Sequence, residues 1–212
     1  MTKPLRQRAL ADFYLASYAA ENDSSSGTQF GTASGSGQGF GSSLSNKYSS
    51  SKKTLKTVID IYEKNQEVGV EERTLSLVEL GDWHMLFNRR NTAFEIYQTA
   101  HDSIATDPEH GALLNKIFGK PTALPISNIV EKAEFTTASE PKLEGYVLLN
   151  FNVSESGRAR DVEITEIAPP ENEKMGVRAR RQISATRFRP RFENGVRTPT
   201  HDISYRFNYT YE

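Results

Sequence analysis

Hydrophobic and polar positions alternate from Gly145 to Val153, with Val147, Leu149, Phe151 and Val153 on one face and Tyr146, Leu148, Asn150 and Asn152 on the other. A period of two is the mark of a strand with one buried side. Ser154-Glu155-Ser156-Gly157 then reads as a turn, its glycine able to take a positive φ. Alternation resumes from Asp161 to Ile167, with Val162 and Ile164 inward. Met175, Ala179 and Ile183 stand four apart and predict a helix from Glu171 to Arg187. A last alternating run, His201 to Tyr211, sets Ile203, Tyr205, Phe207, Tyr209 and Tyr211 against Asp202, Ser204, Arg206, Asn208 and Thr210. The predicted order is strand, strand, helix, strand. Between helix and last strand, Asn194-Gly195 is the pair favoured by a type I′ hairpin.

Upstream the spacing is helical. Leu5 to Ala20, a stretch from Lys53 carrying Leu55, Val58, Ile59 and Tyr62, Glu71 to Asn88, Thr92 to Ala105 and a short run from Ala112 to Phe118 all predict helices. Asp23 to Ser51 interrupts them. Glycine and serine dominate there, and Phe30, Phe40, Leu44 and Tyr48 are too few to offset the entropy of ordering the segment, so a disordered insertion is expected. Its spaced glycines, Gly35 to Gly41, are not a phosphate loop, because no strand precedes them and no Gly-Lys-Ser/Thr ends them. Gly119, Pro121 and Pro125 mark a connector. The expected organisation is a helical domain over 1–118 with the insertion at 23–51, a connector over 119–141 and an α+β domain over 142–212.

Leu10-Ala11-Asp12-Phe13-Tyr14-Leu15 aligns with Leu80-Gly81-Asp82-Trp83-His84-Met85, an internal repeat. In the second copy Leu77, Leu80, Gly81, Ala93, Tyr97 and Ala100 stand at tetratricopeptide spacings, so the helical part resembles two tetratricopeptide repeats, the first swollen by the insertion. On this reading Gly81 and Ala93 let paired helices approach, while Tyr97 and Ala100 seat against the neighbouring helix. Asp82, beside Val78 and Met85, would face the concave groove and accept from a bound peptide; the plainer reading is a local salt bridge with Arg89 or Arg90.

The C-terminal part carries a second resemblance. Gly145-Tyr146-Val147 through Gly157, Asp161-Val162-Glu163-Ile164, Arg187-Phe188-Arg189-Pro190-Arg191-Phe192-Glu193-Asn194-Gly195 and the closing Tyr205-Arg206-Phe207 resemble the C-terminal domain of the TonB family of energy transducers. The sequence departs from that family at Thr136 to Pro141, which lacks the usual tyrosine-proline pair. The resemblance implies a cell-envelope or periplasmic protein that adds an extended partner peptide to a sheet edge, with a TonB-dependent outer-membrane transporter or an inner-membrane motor complex as partner. The implied partner site is the last strand, Ser204, Tyr205, Arg206, Phe207, Asn208 and Tyr209, with Asp82 and Met85 in the helical part. The alternative is a tetratricopeptide scaffold or assembly protein whose C-terminal sheet only docks or forms a homodimer.

Composition narrows the chemistry without changing this picture. The formal charge of −1 gives no preference for nucleic acid, and the chain has no cysteine, hence no disulfide or thiolate metal site. No apolar run approaches the roughly 20 residues of a membrane-spanning helix, and no secretory leader is evident at the N-terminus, so a cytoplasmic location stays open beside the envelope one. His101-Asp102, Asp107 and His110 are the nearest thing to a metal or hydrolytic cluster, but only His84 and His201 remain to complete it, and a polar helix end accounts for them better. No serine or cysteine nucleophile stands in a motif with a base, and no Gly-x-Ser-x-Gly elbow occurs; no cofactor and no enzymatic activity are expected. Seven arginines between Arg178 and Arg197 make the C-terminal part locally basic, either as a solvated face or as attraction for acidic peptides or anionic envelope polymers.

Overall fold

The computed structural model describes residues 40–65, 67–124 and 143–211. They form a mixed structure of helices and antiparallel sheets, divided into two compact units, with Leu113 ending the described part of the first and Leu114 opening the second. The helix expected over Leu5 to Ala20, and with it the first copy of the repeat, lies outside the described residues, as do the insertion up to Gly39 and the connector from Pro125.

In the first unit, α1 (Phe40–Lys64), α2 (Val70–Leu86) and α3 (Arg90–Ala105) follow one another, and a 3-10 turn, Pro108–His110, leads into α4 (Gly111–Phe118). The helix expected from Lys53 thus begins at Phe40, and the segment Phe40–Ser51, expected to be disordered, is helical. Leu55, Leu80 and Trp83 form one buried cluster, flanked by Ile59, Leu86, Phe87 and Ile96; Val58, Tyr62 and Val68 form another. The α2–α3 pair is close because Gly81 has no side chain: a Cβ there would lie 2.4 Å from Tyr97 Cε1. Ala93 and Ala100 are likewise fully buried. Helix α2 ends by chain reversal at Asn88, which takes φ 59°. The Arg89 N–H donates to His84 O at 2.9 Å and the Asn88 N–H to Met85 O at 3.0 Å, so two carbonyls of the last turn are satisfied without a glycine.

The second unit is built on an antiparallel sheet of β2 (Leu143–Val153), β3 (Ala159–Ala168) and β7 (Thr200–Tyr211) in the order β3-β2-β7. Two shorter pairings complete it. β1 (Thr122–Ala123) pairs with β4 (Phe188–Arg189), and β5 (Arg191–Glu193) pairs with β6 (Val196–Thr198). Helix α5 (Glu173–Ala185) covers the inner face of β3 and β2, with Gly176 so close that a Cβ would lie 2.7 Å from Ile167 Cδ1. Val147, Leu149, Ala179, Phe207 and Tyr209 form one core cluster and Phe151, Val153, Ile183 and Phe188 the other. The strand, strand, helix, strand order expected from the alternation is present.

Two expectations need correction here. Residues 122–123, expected in the connector, form a strand of the second unit. The end of α4, expected in the helical domain over 1–118, also belongs to this unit: Phe118 packs on Phe192 at 5.0 Å between ring centroids, and Arg189 donates to the Ile117 carbonyl at 3.1 Å. A two-turn helix ending in Ile117-Phe118 buries those side chains wherever an apolar surface is nearest, which spacing along the chain does not specify.

Glu193 pairs with Val196 around Asn194 (φ 50°) and Gly195 (φ 77°), so both turn residues have the positive φ of the expected hairpin. Gly195→Val is expected to lower the stability of the second unit by about 1 to 3 kcal/mol, because a β-branched residue is strained there. Urea titration followed by far-UV circular dichroism checks this; an unchanged midpoint would refute it.

Candidate functional site

Strand β7 is where the sequence places the partner site, and its pairing explains why it could serve. From Leu143↔Tyr211 to Phe151↔Ile203 the register with β2 runs through nine consecutive pairs without a shift. Among the described residues no strand pairs with the other side of β7, so from Ile203 to Tyr211 its outward main-chain groups form a regular edge, which ends at a register shift between Phe151 and Val153 where Asp202 takes φ 55°. The opposite edge, β3, is different. Its register with β2 shifts between Leu148 and Leu149 and again between Asn150 and Asn152, and Asp161 takes φ 52°. Such bulges twist an edge away from a further strand.

The outer face of the sheet is polar and cross-linked. Ser204 Oγ donates to Asn150 Oδ1 at 2.8 Å, Asn152 Nδ2 donates to Asp161 Oδ2 at 2.8 Å, and Asn152 Oδ1 accepts from the Asp202 N–H at 3.0 Å. The Tyr146 hydroxyl donates to Glu166 Oε1, and this hydrogen bond to a carboxylate holds the phenol above its usual range. Arg206 lies over the Tyr146 ring at 4.0 Å and donates from Nε to Asn208 Oδ1 at 3.0 Å, so its guanidinium is oriented from two sides. An open groove of about 780 Å³ runs past Glu144, Tyr146, Arg206, Asn208 and Thr210.

The expected site residues divide by face. Ser204, Arg206 and Asn208 are exposed on the outer face, and Tyr205 is 41% exposed although it lies on the alternate face. Phe207 and Tyr209 are buried in the core, so a strand added at this edge would meet their backbone and not their rings. Alternation identified their face but not the exposure of Tyr205. Tyr209 has a further role: it pairs with Gly145, where a Cβ would lie 2.5 Å from its Cζ, and donates from its hydroxyl to the Ala168 carbonyl at 3.1 Å. One ring therefore ties all three strands together.

Asp82 and Met85 are in the first unit and do not present a groove-facing pair. Met85 is fully buried, and Asp82 is buried with its carboxylate accepting from the Tyr97 hydroxyl at 2.7 Å. Tyr97 is thus a partner of Asp82 in the local arrangement. A carboxylate on the residue next to Gly81 is in reach of the phenol because Gly81 lets Tyr97 approach, a link that the spacing of the repeat did not reveal. His101 Nδ1 is 3.0 Å from Asp102 Oδ1, and His110 Nδ1 is 3.1 Å from Asp107 Oδ2, each pair within its own turn. Among the described residues no cluster of histidine and carboxylate groups could hold a metal ion.

Sequence reasoning did not single out Tyr146, Asn150 and Glu166 as part of the site. The signal was present in the outward positions of β2, whose cross-strand neighbours on β7 are Asn208 and Ser204. In comparisons with known proteins, no family model matches the chain and no curated protein matches it. Among the described residues no helix is long and apolar enough to cross a membrane.

Proposed function

We propose that the second unit is a binding module that takes up an extended segment of a partner protein by adding it as a strand to β7, in the manner of TonB-family energy transducers, with the helical unit as a tetratricopeptide-like support. The observation that carries this reading is the unbroken nine-pair register behind the Ile203–Tyr211 edge. Main-chain hydrogen bonds would supply much of the affinity, and outer-face side chains such as Arg206 would choose among partners. On this reading the protein works in the cell envelope without catalysis, on a partner such as an outer-membrane transporter. The same edge also supports the alternative of a scaffold whose sheets pair in a homodimer, because an edge strand accepts a second copy as readily as a foreign one.

The test is a selection of binding decapeptides from a random library, followed by amide hydrogen exchange on the complex. Augmentation is expected to slow exchange at every second residue between Ile203 and Tyr211. In a parallel experiment Ser204→Pro and Tyr205→Pro lie at positions of opposite parity. One removes an edge donor and is expected to abolish binding while keeping the fold; the other breaks the ladder to β2. Peptide binding without new protection on β7 would refute the reading, and a concentration-dependent dimer that excludes the peptide would favour the scaffold.

A further inference from the structure

A second surface of the C-terminal unit has nothing to do with the β7 edge. Helix α5 lies over β3 and leaves two large aliphatic side chains in the open beside it: Ile164 is 36% exposed and Val177 is 50% exposed. Together with Ala185 they line a groove of about 540 Å³, whose rim is Arg180, Arg181 and Ser184. Val177 is two turns from Ser184 on the same helix, so the groove follows the helix axis for about 10 Å. Ile164 reaches into it from the sheet, where it pairs with Leu149 across the first bulge of β3.

The charge around the groove is one-sided. Lys174, Arg178 and Arg181 fall at intervals of four and three along α5, the spacing of one helix face, and Arg180 adjoins them. Among the described residues, none of these four side chains forms an ion pair. A solvated helix would ordinarily carry acidic residues among so many cations; here Glu173, in the first turn, is the one carboxylate of α5. The cations lie beside exposed aliphatic groups, and an apolar surface rimmed by charge of one sign is what an interface of mixed chemistry presents.

We infer that the α5–β3 groove is a docking surface for an acidic protein segment, which inserts an apolar side chain between Ile164 and Val177 while its carboxylates meet Lys174, Arg178, Arg180 and Arg181. Arginine suits the role, since its planar fork can bind a carboxylate through two donors. The slot between the arginines favours a peptide over an anionic polymer, which would supply charge without a side chain to fill it. This site is on the β3 side of the sheet, away from β7, and its validity does not depend on the proposed strand addition.

The experiment titrates the nitrogen-15-labelled full chain with three probes: a hexapeptide alternating glutamate and leucine, a hexaglutamate, and a hexapeptide alternating lysine and leucine. Vesicles of phosphatidylglycerol form a fourth arm. The glutamate–leucine peptide is expected to give saturable shifts at Ile164, Val177 and Ser184, and to bind at least tenfold more tightly than hexaglutamate; the lysine–leucine peptide is expected not to bind. Val177→Ser and Arg181→Glu, both at exposed positions, should each weaken the glutamate–leucine peptide at least tenfold while the melting temperature stays that of the wild type. Should Arg181→Glu unfold the unit, Arg180→Glu gives the same readout. Shifts that do not saturate, equal binding of hexaglutamate with no effect of Val177→Ser, or binding of the vesicles alone would each overturn the inference.

Discussion

Gly145→Val is expected to damage the C-terminal unit severely, lowering its stability by about 2 to 4 kcal/mol. Gly145 is the point where β2 passes beneath the Tyr209 ring. A Cβ there would be 2.5 Å from Tyr209 Cζ and 2.7 Å from the Ala168 carbonyl oxygen. The ring cannot retreat without giving up its hydrogen bond to Ala168, and the carbonyl is backbone of the neighbouring strand. Overpacking of this kind costs about 1 to 3 kcal/mol, and the lost hydrogen bond adds about 1. Tyr209→Phe should cost only the latter. The measurement is urea unfolding followed by far-UV circular dichroism, with Trp83 fluorescence, which reports the first unit, as an internal control. A Gly145→Val protein with the wild-type midpoint would mean that Tyr209 does not cross the strand.

That glycine also illustrates what can be read from the sequence. The alternation around it gave the strand, its inward face and the central core residues Val147, Leu149, Phe151 and Val153, because period two is fixed by backbone geometry. It did not give Tyr209 as the clamp over Gly145, since cross-strand register depends on the pairing of residues far apart in sequence. The Asn194-Gly195 turn was legible because its chemistry is local. The extension of α1 back to Phe40 has a signal in the sequence too: Phe40, Leu44 and Tyr48 stand at intervals of four, and Tyr48 is seven residues before Leu55. The glycine and serine content outweighed that spacing. At the candidate site, the open edge at β7 follows from strand count and order. The burial of Asp82 and Met85 could not be read, because a helix position that faces a groove and one that faces a neighbouring helix differ by a rotation that sequence spacing leaves undetermined.

His84 should make the first unit lose stability in acid. Its imidazole is buried beside Trp83, in edge contact at 4.8 Å, and its Nδ1 is enclosed without a hydrogen-bond partner. Burial disfavours the imidazolium, and Lys52 and Lys56 of α1 together with Arg89 beyond α2 disfavour it further, so the pKa is lowered from 6.5 to about 4. The sign follows from proton counting. Above about pH 6.5 the residue is neutral whether folded or unfolded, and the native state carries no penalty. Between about 6.5 and 4 the unfolded chain binds a proton that the native state refuses, so the unfolded state gains by up to about 1.4 kcal/mol for each pH unit. Stability is therefore expected to fall by about 2 to 3 kcal/mol as the pH drops through this window. Carboxylates contribute to acid unfolding as well, so the informative quantity is the difference between wild type and His84→Gln, which cannot take up the proton. Urea midpoints read from Trp83 fluorescence at pH 7, 5.5 and 4.5 should fall more steeply for the wild type than for His84→Gln, whatever the stability of the variant at pH 7. Parallel curves would show that His84 is protonated as readily in the folded unit as in the unfolded chain.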